Sequence, residues 1–299
     1  MKKIYLCFVT ILFASYSFAQ VNFSWADNFG GSATATTKIR TATDAAGNVY
    51  VTGVFEGTKT FGTFTLTAQG STDAFIAKFD ATGTCIWARN FGGSGATVGN
   101  GVAVDAANNV YVSGTFTSTL FFDTFYYIAT GFTDGYVVKF DGASGNSIWC
   151  NKVGGTGEDK CEAIALDNNQ NIYLIGYFTY KLYLTPSDSI DNGGSVYPDA
   201  FIAKYDSSGG FNWVKKINGS NIDQGLGIAY TGNNIYASGS FAGANCQFGN
   251  GITLSTGGTA SDAFLAKYDL SGTCLWARKG GGAGNEDRKS TRLNSSHRT

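Results

Sequence analysis

Aspartate is the residue type in this chain best suited to acid–base or metal chemistry, and its positions are periodic. Eighteen of the 22 acidic residues are Asp. A catalytic acid pair would occur once, whereas a side chain that recurs in every copy of a repeat serves the structure. We therefore expect the recurring aspartates to cap turns by accepting backbone N–H groups. They form three equivalent sets: Asp44, Asp105 and Asp167; Asp73, Asp134, Asp199 and Asp262; and Asp80, Asp141, Asp206 and Asp269.

Calcium is the one cofactor that these Asp turns could bind. A calcium ion takes about six to eight oxygen ligands, several of them from carboxylates. Each turn holds too few carboxylates for such a shell, and Tyr230 replaces the first-turn Asp in the fourth copy. We expect no cofactor, with calcium as the remaining alternative.

A fourth group of acids follows the tryptophans. Asp159, Asp223 and Glu286 each lie ten residues after a Trp, so they could ring one end of a repeat structure. Most acidic side chains in proteins are exposed, and we expect these three to lie in solvated loops.

The histidine count argues against most catalytic arrangements. The chain has one histidine, His297, in its final segment. The body therefore lacks Ser-His-Asp and Cys-His nucleophile arrangements, and it lacks the usual nitrogen ligand of zinc. We expect no metal site and no enzymatic activity.

Two aromatic clusters could form a ligand surface. Aromatic rings dominate core burial, so packing of these residues on their own sheet is the expectation, and a sugar-stacking surface is the alternative. The insertion at Thr185 to Pro198 is the most distinctive loop and the best single place for specificity. The clusters comprise Phe121, Phe122, Phe125, Tyr126 and Tyr127, and then Tyr177, Phe178, Tyr180 and Tyr183.

The strands that position these side chains belong to a repeat, and each copy of the repeat is marked by a tryptophan. The spacings are 62, 62, 64 and 63 residues between Trp25, Trp87, Trp149, Trp213 and Trp276. A motif of the form Asn-Val-Tyr-Val-Ser-Gly keeps the same step at Tyr50, Tyr111, Tyr173 and Tyr236. A third motif, Asp-Ala-Phe-Ile-Ala-Lys-Phe-Asp, begins at Asp73, Asp134, Asp199 and Asp262. Four full units of about 63 residues are therefore present, preceded by the last strand of another unit around Trp25.

Each unit has the pattern of four antiparallel strands. Short β-branched and aromatic runs alternate with Gly, Asp, Asn and Ser turns, and no window keeps helical spacing over three turns. In the second unit, Leu120 to Ile128 adds a further hairpin. Repeating four-stranded sheets assemble most simply as blades around an axis. The sequence predicts an all-β propeller, complete or partial.

The motifs also resemble a known family. Trp87 to Gly93, Val102 to Gly114 and Asp73 to Asp80 are similar to the bacterial SBBP β-propeller repeat, which is related to NHL-type propellers. The resemblance covers about residues 22 to 287 and implies an exported bacterial protein with no assigned catalytic residues. Four units are fewer than a seven-bladed ring requires, so either the chain is truncated or the ring closes with fewer blades.

Both ends differ from the repeats. Lys2 and Lys3, an apolar run and a small-x-small site predict a signal peptide at residues 1–19. Residues 20–287 are the repeat region, and we expect residues 288–299 to be a non-native tail from adapter or vector sequence. The five cysteines after the signal peptide are an odd number, and Cys150 and Cys161 are close enough in sequence to pair.

Composition limits the partners. The formal net charge is −1, which gives no electrostatic attraction to nucleic acid, and no segment after the signal peptide could span a membrane. We expect a secreted or cell-surface, non-catalytic binding or scaffold module. Its partner is an unknown protein or glycan, together with further repeats of the same full-length protein. The alternatives are a propeller-type polysaccharide lyase or hydrolase and a structural segment of a large adhesin.

Overall fold

A computed structural model describes residues 38–256 and 260–281. The described residues form 24 strands, all paired antiparallel, and no helix. They accordingly contain no helix that is long and apolar enough to cross a bilayer. The predicted signal peptide, the strand around Trp25 and the predicted non-native tail lie outside these residues.

The first two units share one plan of four main strands with a hairpin inserted between the second and the third. Unit 1 has main strands β1 (Arg40–Thr43), β2 (Val49–Phe55), β5 (Asp73–Phe79) and β6 (Cys85–Phe91), and inserted strands β3 (Thr58–Phe61) and β4 (Phe64–Thr67). Unit 2 has main strands β7 (Thr97–Val104), β8 (Val110–Phe116), β11 (Asp134–Phe140) and β12 (Ser147–Gly155), and inserted strands β9 (Thr119–Phe122) and β10 (Phe125–Ile128).

The other two units repeat this plan. Unit 3 has main strands β13 (Asp159–Leu166), β14 (Ile172–Phe178), β17 (Asp199–Tyr205) and β18 (Phe211–Ile217), and inserted strands β15 (Lys181–Tyr183) and β16 (Ser189–Asp191). Unit 4 has main strands β19 (Gln224–Thr231), β20 (Asn234–Ala242), β23 (Ser261–Tyr268) and β24 (Cys274–Gly280), and inserted strands β21 (Cys246–Gly249) and β22 (Ile252–Leu254). In every unit the main strands pair in chain order, which is a β-meander.

The cores lie between units. On one side of unit 2, Val112 and Phe140 pack against Tyr50 and Trp87 of unit 1. On its other side, Val137 packs with residues of unit 3. Because each middle sheet is covered on both faces, strands such as β8 and β11 are buried along their whole length, and their sequences carry apolar residues at successive positions.

The first strands converge. β7, β13 and β19 each pack beside the first and second strands of the preceding unit. Lys38, at the start of unit 1, forms an ion pair of 3.1 Å with Glu162 of β13 and so reaches past unit 2 to unit 3. Sheets whose inner strands meet while their outer strands diverge are blades around an axis. The predicted propeller of four-stranded blades is thereby confirmed.

A glycine in each second strand permits this close inner packing. A Cβ at Gly176 would lie 1.7 Å from the carbonyl oxygen of Lys160, and one at Gly239 would lie 1.9 Å from that of Gln224. The first strands carry a β-bulge opposite these glycines. The Gly that closes the Asn-Val-Tyr-Val-Ser-Gly motif is thus required by backbone contact.

The inserted hairpins of units 2, 3 and 4 lie against the outer strand of the preceding unit. The hairpin expected at Leu120 to Ile128 is present as β9 and β10. Phe121 exchanges backbone hydrogen bonds with Gly92, and β15 pairs with β12 at Gly154 and Gly155. These contacts place the hairpins at the rim of the propeller.

The cysteines do not form the disulfide that their spacing allowed. Cys150 and Cys161 are both buried free thiols. They lie on strands of different units, β12 and β13, and pack into separate core clusters. Cys85, Cys246 and Cys274 form no disulfide within the described residues either.

Candidate functional site

The repeated Tyr and Trp residues join neighbouring units. Tyr111 of β8, Lys139 of β11 and Trp149 of β12 lie side by side across one sheet. The Lys139 ammonium lies 5.0 Å from the centre of the Tyr111 ring. Both the Trp149 indole N–H and Lys139 Nζ donate to the carbonyl oxygen of Ser207, in a turn of unit 3, at 3.3 Å. We call this arrangement the latch.

The same latch occurs at the other two junctions. Trp87 and Lys78 donate to the Gly142 carbonyl oxygen, at 3.2 and 2.8 Å. Trp213 and Lys204 donate to that of Leu270, at 3.2 and 3.5 Å. In unit 4, Tyr236 and Trp276 keep their ring contact at 6.2 Å.

Each aspartate of the first set accepts hydrogen bonds on both carboxylate oxygens from residues of its own turn and from the tyrosine that follows. Asp105 accepts from the backbone N–H groups of Ala107 and Asn109, the Asn109 amide and the Tyr111 hydroxyl. Asp44 and Asp167 accept the equivalent four bonds. The turn Asp therefore also holds the tyrosine of the latch in place.

The set in the second turn is engaged in the same way. Asp206 accepts from the N–H groups of Ser208 and Gly210 and from the Ser208 hydroxyl. These bonds lower the pKa of its carboxyl group. Asp80, Asp141 and Asp269 repeat the pattern. Their carboxylates hold backbone donors in place.

The aspartates that open the third strand are buried and hold the hairpins. Asp134 forms a 2.7 Å ion pair with Lys152, and Lys152 also donates to the Ile128 carbonyl oxygen at the end of the hairpin. Asp199 and Asp262 pair with Lys216 and Lys279 at 3.5 Å. Asp73 accepts from Asn90 instead.

Two of the acids expected in solvated loops are buried, so that expectation is wrong for Asp159 and Asp223. Asp159 begins the first strand of its unit, and Asp223 lies directly before the first strand of its unit. Each accepts an N–H bond from a glycine at the end of the preceding sheet, Gly155 or Gly219. Burial raises the pKa of Asp159 to about 8 and that of Asp223 to about 7. A neighbouring carboxyl, Asp134 or Asp199, adds to each rise. Glu286 lies outside the described residues.

No group of three or more metal-ligating side chains occurs within residues 38–256 and 260–281. The absence of a cofactor, with calcium as the alternative, stays a prediction.

The hairpin of unit 2 differs from that of unit 1 on its solvent face. In unit 1 this face carries two hydrogen-bonded threonine pairs, Thr58 with Thr67 and Thr60 with Thr65. The matching positions of unit 2 are Thr119 with Ile128 and Phe121 with Tyr126. Phe121 is 43% exposed, and Tyr126 and Ile128 are each 59% exposed.

This hairpin borders a groove, which we call the rim groove. It lies between β10, the outer edge of β12 and the hairpin of unit 3, and its volume is about 700 Å³. Tyr126 and Ile128 line one side. Tyr183 lines the other, together with Thr185 and Pro186 from the insertion.

Comparison with known proteins agrees with this geometry. Residues 86–122, from β6 into the hairpin of unit 2, match the family model of the SBBP beta-propeller repeat. Over 233 residues the chain is 26% identical to the uncharacterized WD repeat-containing protein L264 of Acanthamoeba polyphaga mimivirus, covering 66% of this chain and 17% of that protein. It is also 26% identical over 137 residues to the regulatory protein FlaEY of Caulobacter vibrioides, covering 44% of this chain and 14% of that protein.

The chain is a propeller-type repeat protein. It spans less than a fifth of the length of either of these curated relatives.

The aromatic clusters of this propeller repeat protein divide between core and surface. Phe122, Tyr177 and Phe178 are buried, as expected for packing on the sheet, whereas Tyr126 and Tyr183 are exposed at the groove. Within the unit 2 hairpin the alternation of side chains causes this division, since Phe121 is exposed and Phe122 is buried. Tyr177 and Phe178 are buried because they belong to main strand β14. A comparison of equivalent positions between copies would have found the exposed face of this hairpin, because Tyr126 stands where unit 1 has Thr65.

Proposed function

We propose that this propeller repeat protein is a non-catalytic binding module that acts outside the cell or at its surface. The observation that carries the proposal is the exposed aromatic and aliphatic face of the unit 2 hairpin beside the rim groove. Exposed apolar patches on a soluble fold mark interaction sites. The repeat supplies an internal comparison, since the same framework in unit 1 carries threonines there.

The repeated polar residues support a scaffold. In the latch and the turn networks, lysine, tryptophan and aspartate are occupied by backbone groups of their own or a neighbouring unit. They hold the blades in register and leave the rim to vary. Binding residues commonly lie on loops held by a rigid framework.

The experiment is a binding screen of the full chain against mixed glycan and protein arrays, with polysaccharide turnover measured in parallel. Ile128→Glu, which adds a charge to the groove wall, should abolish retention of the bound partner. The matched control Thr67→Glu, at the same position of unit 1, should leave it unchanged. Silence across the arrays together with turnover of a polysaccharide would reject the proposal in favour of an enzyme.

A further inference from the structure

We propose that the rim groove binds a neutral oligosaccharide. This inference rests on the proposed binding function and adds the chemical class of the ligand. Three features of the groove support it: its aromatic platform, its unpartnered polar groups and its lack of free charge.

The platform is the ring of Tyr126. Its ring centre lies 6.5 Å from that of Phe121 on the paired strand, which supports the ring from one side while leaving much of it exposed. One face of a sugar ring presents C–H groups that pack on an aromatic face, with hydroxyl groups around its edge. Tyr183 provides a second ring across the groove, where the Lys181 ammonium lies 4.9 Å from the ring centre.

Several polar groups of the lining have no partner within the described residues. These are the hydroxyl groups of Tyr126, Tyr183 and Thr156 and the side-chain oxygen of Asn151. The Asn151 amide nitrogen donates to the Gly209 carbonyl oxygen at 2.7 Å, which fixes the orientation of that side chain. Hydroxyl and amide groups placed beside aromatic rings can both accept and donate to sugar hydroxyl groups.

The lining of the groove itself offers no free charge to an anionic ligand, and the Lys181 ammonium beside the lining lies over the Tyr183 ring. Lys152 is the one charged residue of the lining. Its ammonium group forms a 2.7 Å ion pair with Asp134 and donates to the Ile128 carbonyl oxygen and the Thr130 hydroxyl, at 2.9 and 2.8 Å. Three donors are thereby used, so a carboxylate or sulfate would be buried without compensation.

The strand edges along the groove are already occupied, which argues against an extended peptide. The Tyr127 hydroxyl donates to the Cys150 carbonyl oxygen at 2.7 Å on the outer edge of β12, and Lys152 occupies the Ile128 carbonyl oxygen of β10. A peptide that added a strand would need these groups free. The groove volume of about 700 Å³ falls in the usual range for small-molecule sites, about 300–1,000 Å³.

The test is an array of neutral glycans, acidic glycans and peptides, followed by titration calorimetry of each ligand retained. We expect neutral glycans to bind the full chain, with at least a tenfold weaker affinity in Tyr126→Ala and in Tyr183→Ala. Thr65→Ala, at the equivalent hairpin position of unit 1, and Tyr197→Ala, an exposed tyrosine outside the groove, are controls that should bind as the parent does. Thermal melting of each variant checks that the exposed substitutions leave the fold intact.

Other outcomes separate the two proposals. Binding of only acidic glycans or peptides, lost in Tyr126→Ala, would overturn the neutral sugar and leave the binding function standing. If both groove variants still bind glycans, the binding site lies outside the groove and this inference is overturned. No binding in any arm would overturn this inference, whereas the binding function falls only if the protein array is silent as well and a polysaccharide is turned over.

Discussion

Asp159 carries a carboxyl group that the fold buries with a single donor. The Gly155 N–H donates to one oxygen, while the other oxygen has no partner and the neighbouring Asp134 also has an unpartnered oxygen. Burial, helped by the Asp134 charge, raises the pKa of Asp159 to about 8. An unfolded Asp titrates near pH 4 (about 3.9). Between about pH 4 and pH 8 the folded protein thus holds a proton that the unfolded chain has released, so stability falls as pH rises through that range.

We predict that Asp159→Asn flattens this dependence. The amide is neutral at every pH and can still accept from Gly155, so the variant should be more stable than the parent at pH 8, by a few kcal/mol at most. Urea denaturation at pH 5 and pH 8 measures the difference. Asp206→Asn is the control with opposite sign: its pKa is lowered by the Ser208 hydroxyl, so this change should cost stability at neutral pH. Parallel pH curves for Asp159→Asn and the parent would contradict the assignment.

The blades are elements that dock through the latch. In units 1 to 3 the outer strand presents Trp, and the third strand presents Lys, to one turn carbonyl of the next unit. The Asp of that turn orders the carbonyl. Unit 4 has the same rings, but no turn carbonyl within the described residues accepts from Trp276. The energy of the latch can therefore be separated from that of the ring contacts.

Trp149→Phe should destabilise the protein by about 2 kcal/mol. It removes a hydrogen bond to the half-buried Ser207 carbonyl, worth about 1 kcal/mol, and ring contact with the turn at Gly209. Trp276→Phe, which keeps an aromatic ring beside Tyr236, should cost clearly less. Chemical denaturation of both variants compares them, and equal losses would show that the inter-unit bond contributes nothing.

The inner packing of the blades predicts that alanine substitutions at two glycines differ in their effect on stability. Gly176→Ala would place a methyl group 1.7 Å from the Lys160 carbonyl oxygen, and overpacking of this kind costs about 1–3 kcal/mol. Gly280→Ala meets no atom within 4 Å and should be neutral. Melting temperatures of the two variants give the comparison; a tolerated alanine at position 176 would mean that the first strand does not pass so close.

Most of the order of strands and turns was predictable from sequence, because the residues that specify them are close together in the chain. Strand runs and turn residues recur four times, and the extra hairpin at Leu120 to Ile128 followed from the excess length of the unit. The burial of Asp159 was not predictable, since it arises where the start of one sheet meets Asp134 of the preceding one. The sequence singled out Tyr126, Tyr183 and the insertion at Thr185 to Pro198 as candidate ligand residues. It did not predict that they line one groove, because they belong to different units that come together only when blades stack.

At the scale of the whole molecule, radial stacking places the hairpins at the rim and brings the first strands together. Sheets pack about 10 Å apart. If the units were stacked in parallel, unit 1 and unit 3 would be separated by about 20 Å at every position. In a propeller the separation is small at the axis and grows toward the rim. The ion pair between Lys38 and Glu162 marks the inner end, while Ile86 of β6 and Asn212 of β18 are exposed on the outer strands.

Electron paramagnetic resonance distances between spin labels measure this geometry directly. One label pair replaces Lys38 and Glu162, and a second replaces Ile86 and Asn212, in a protein whose half-buried Cys85 is changed to Ser. We predict a distance below about 20 Å for the inner pair and a clearly longer one for the outer pair, since sheets about a common axis diverge outward. Equal distances for the two pairs would contradict the propeller.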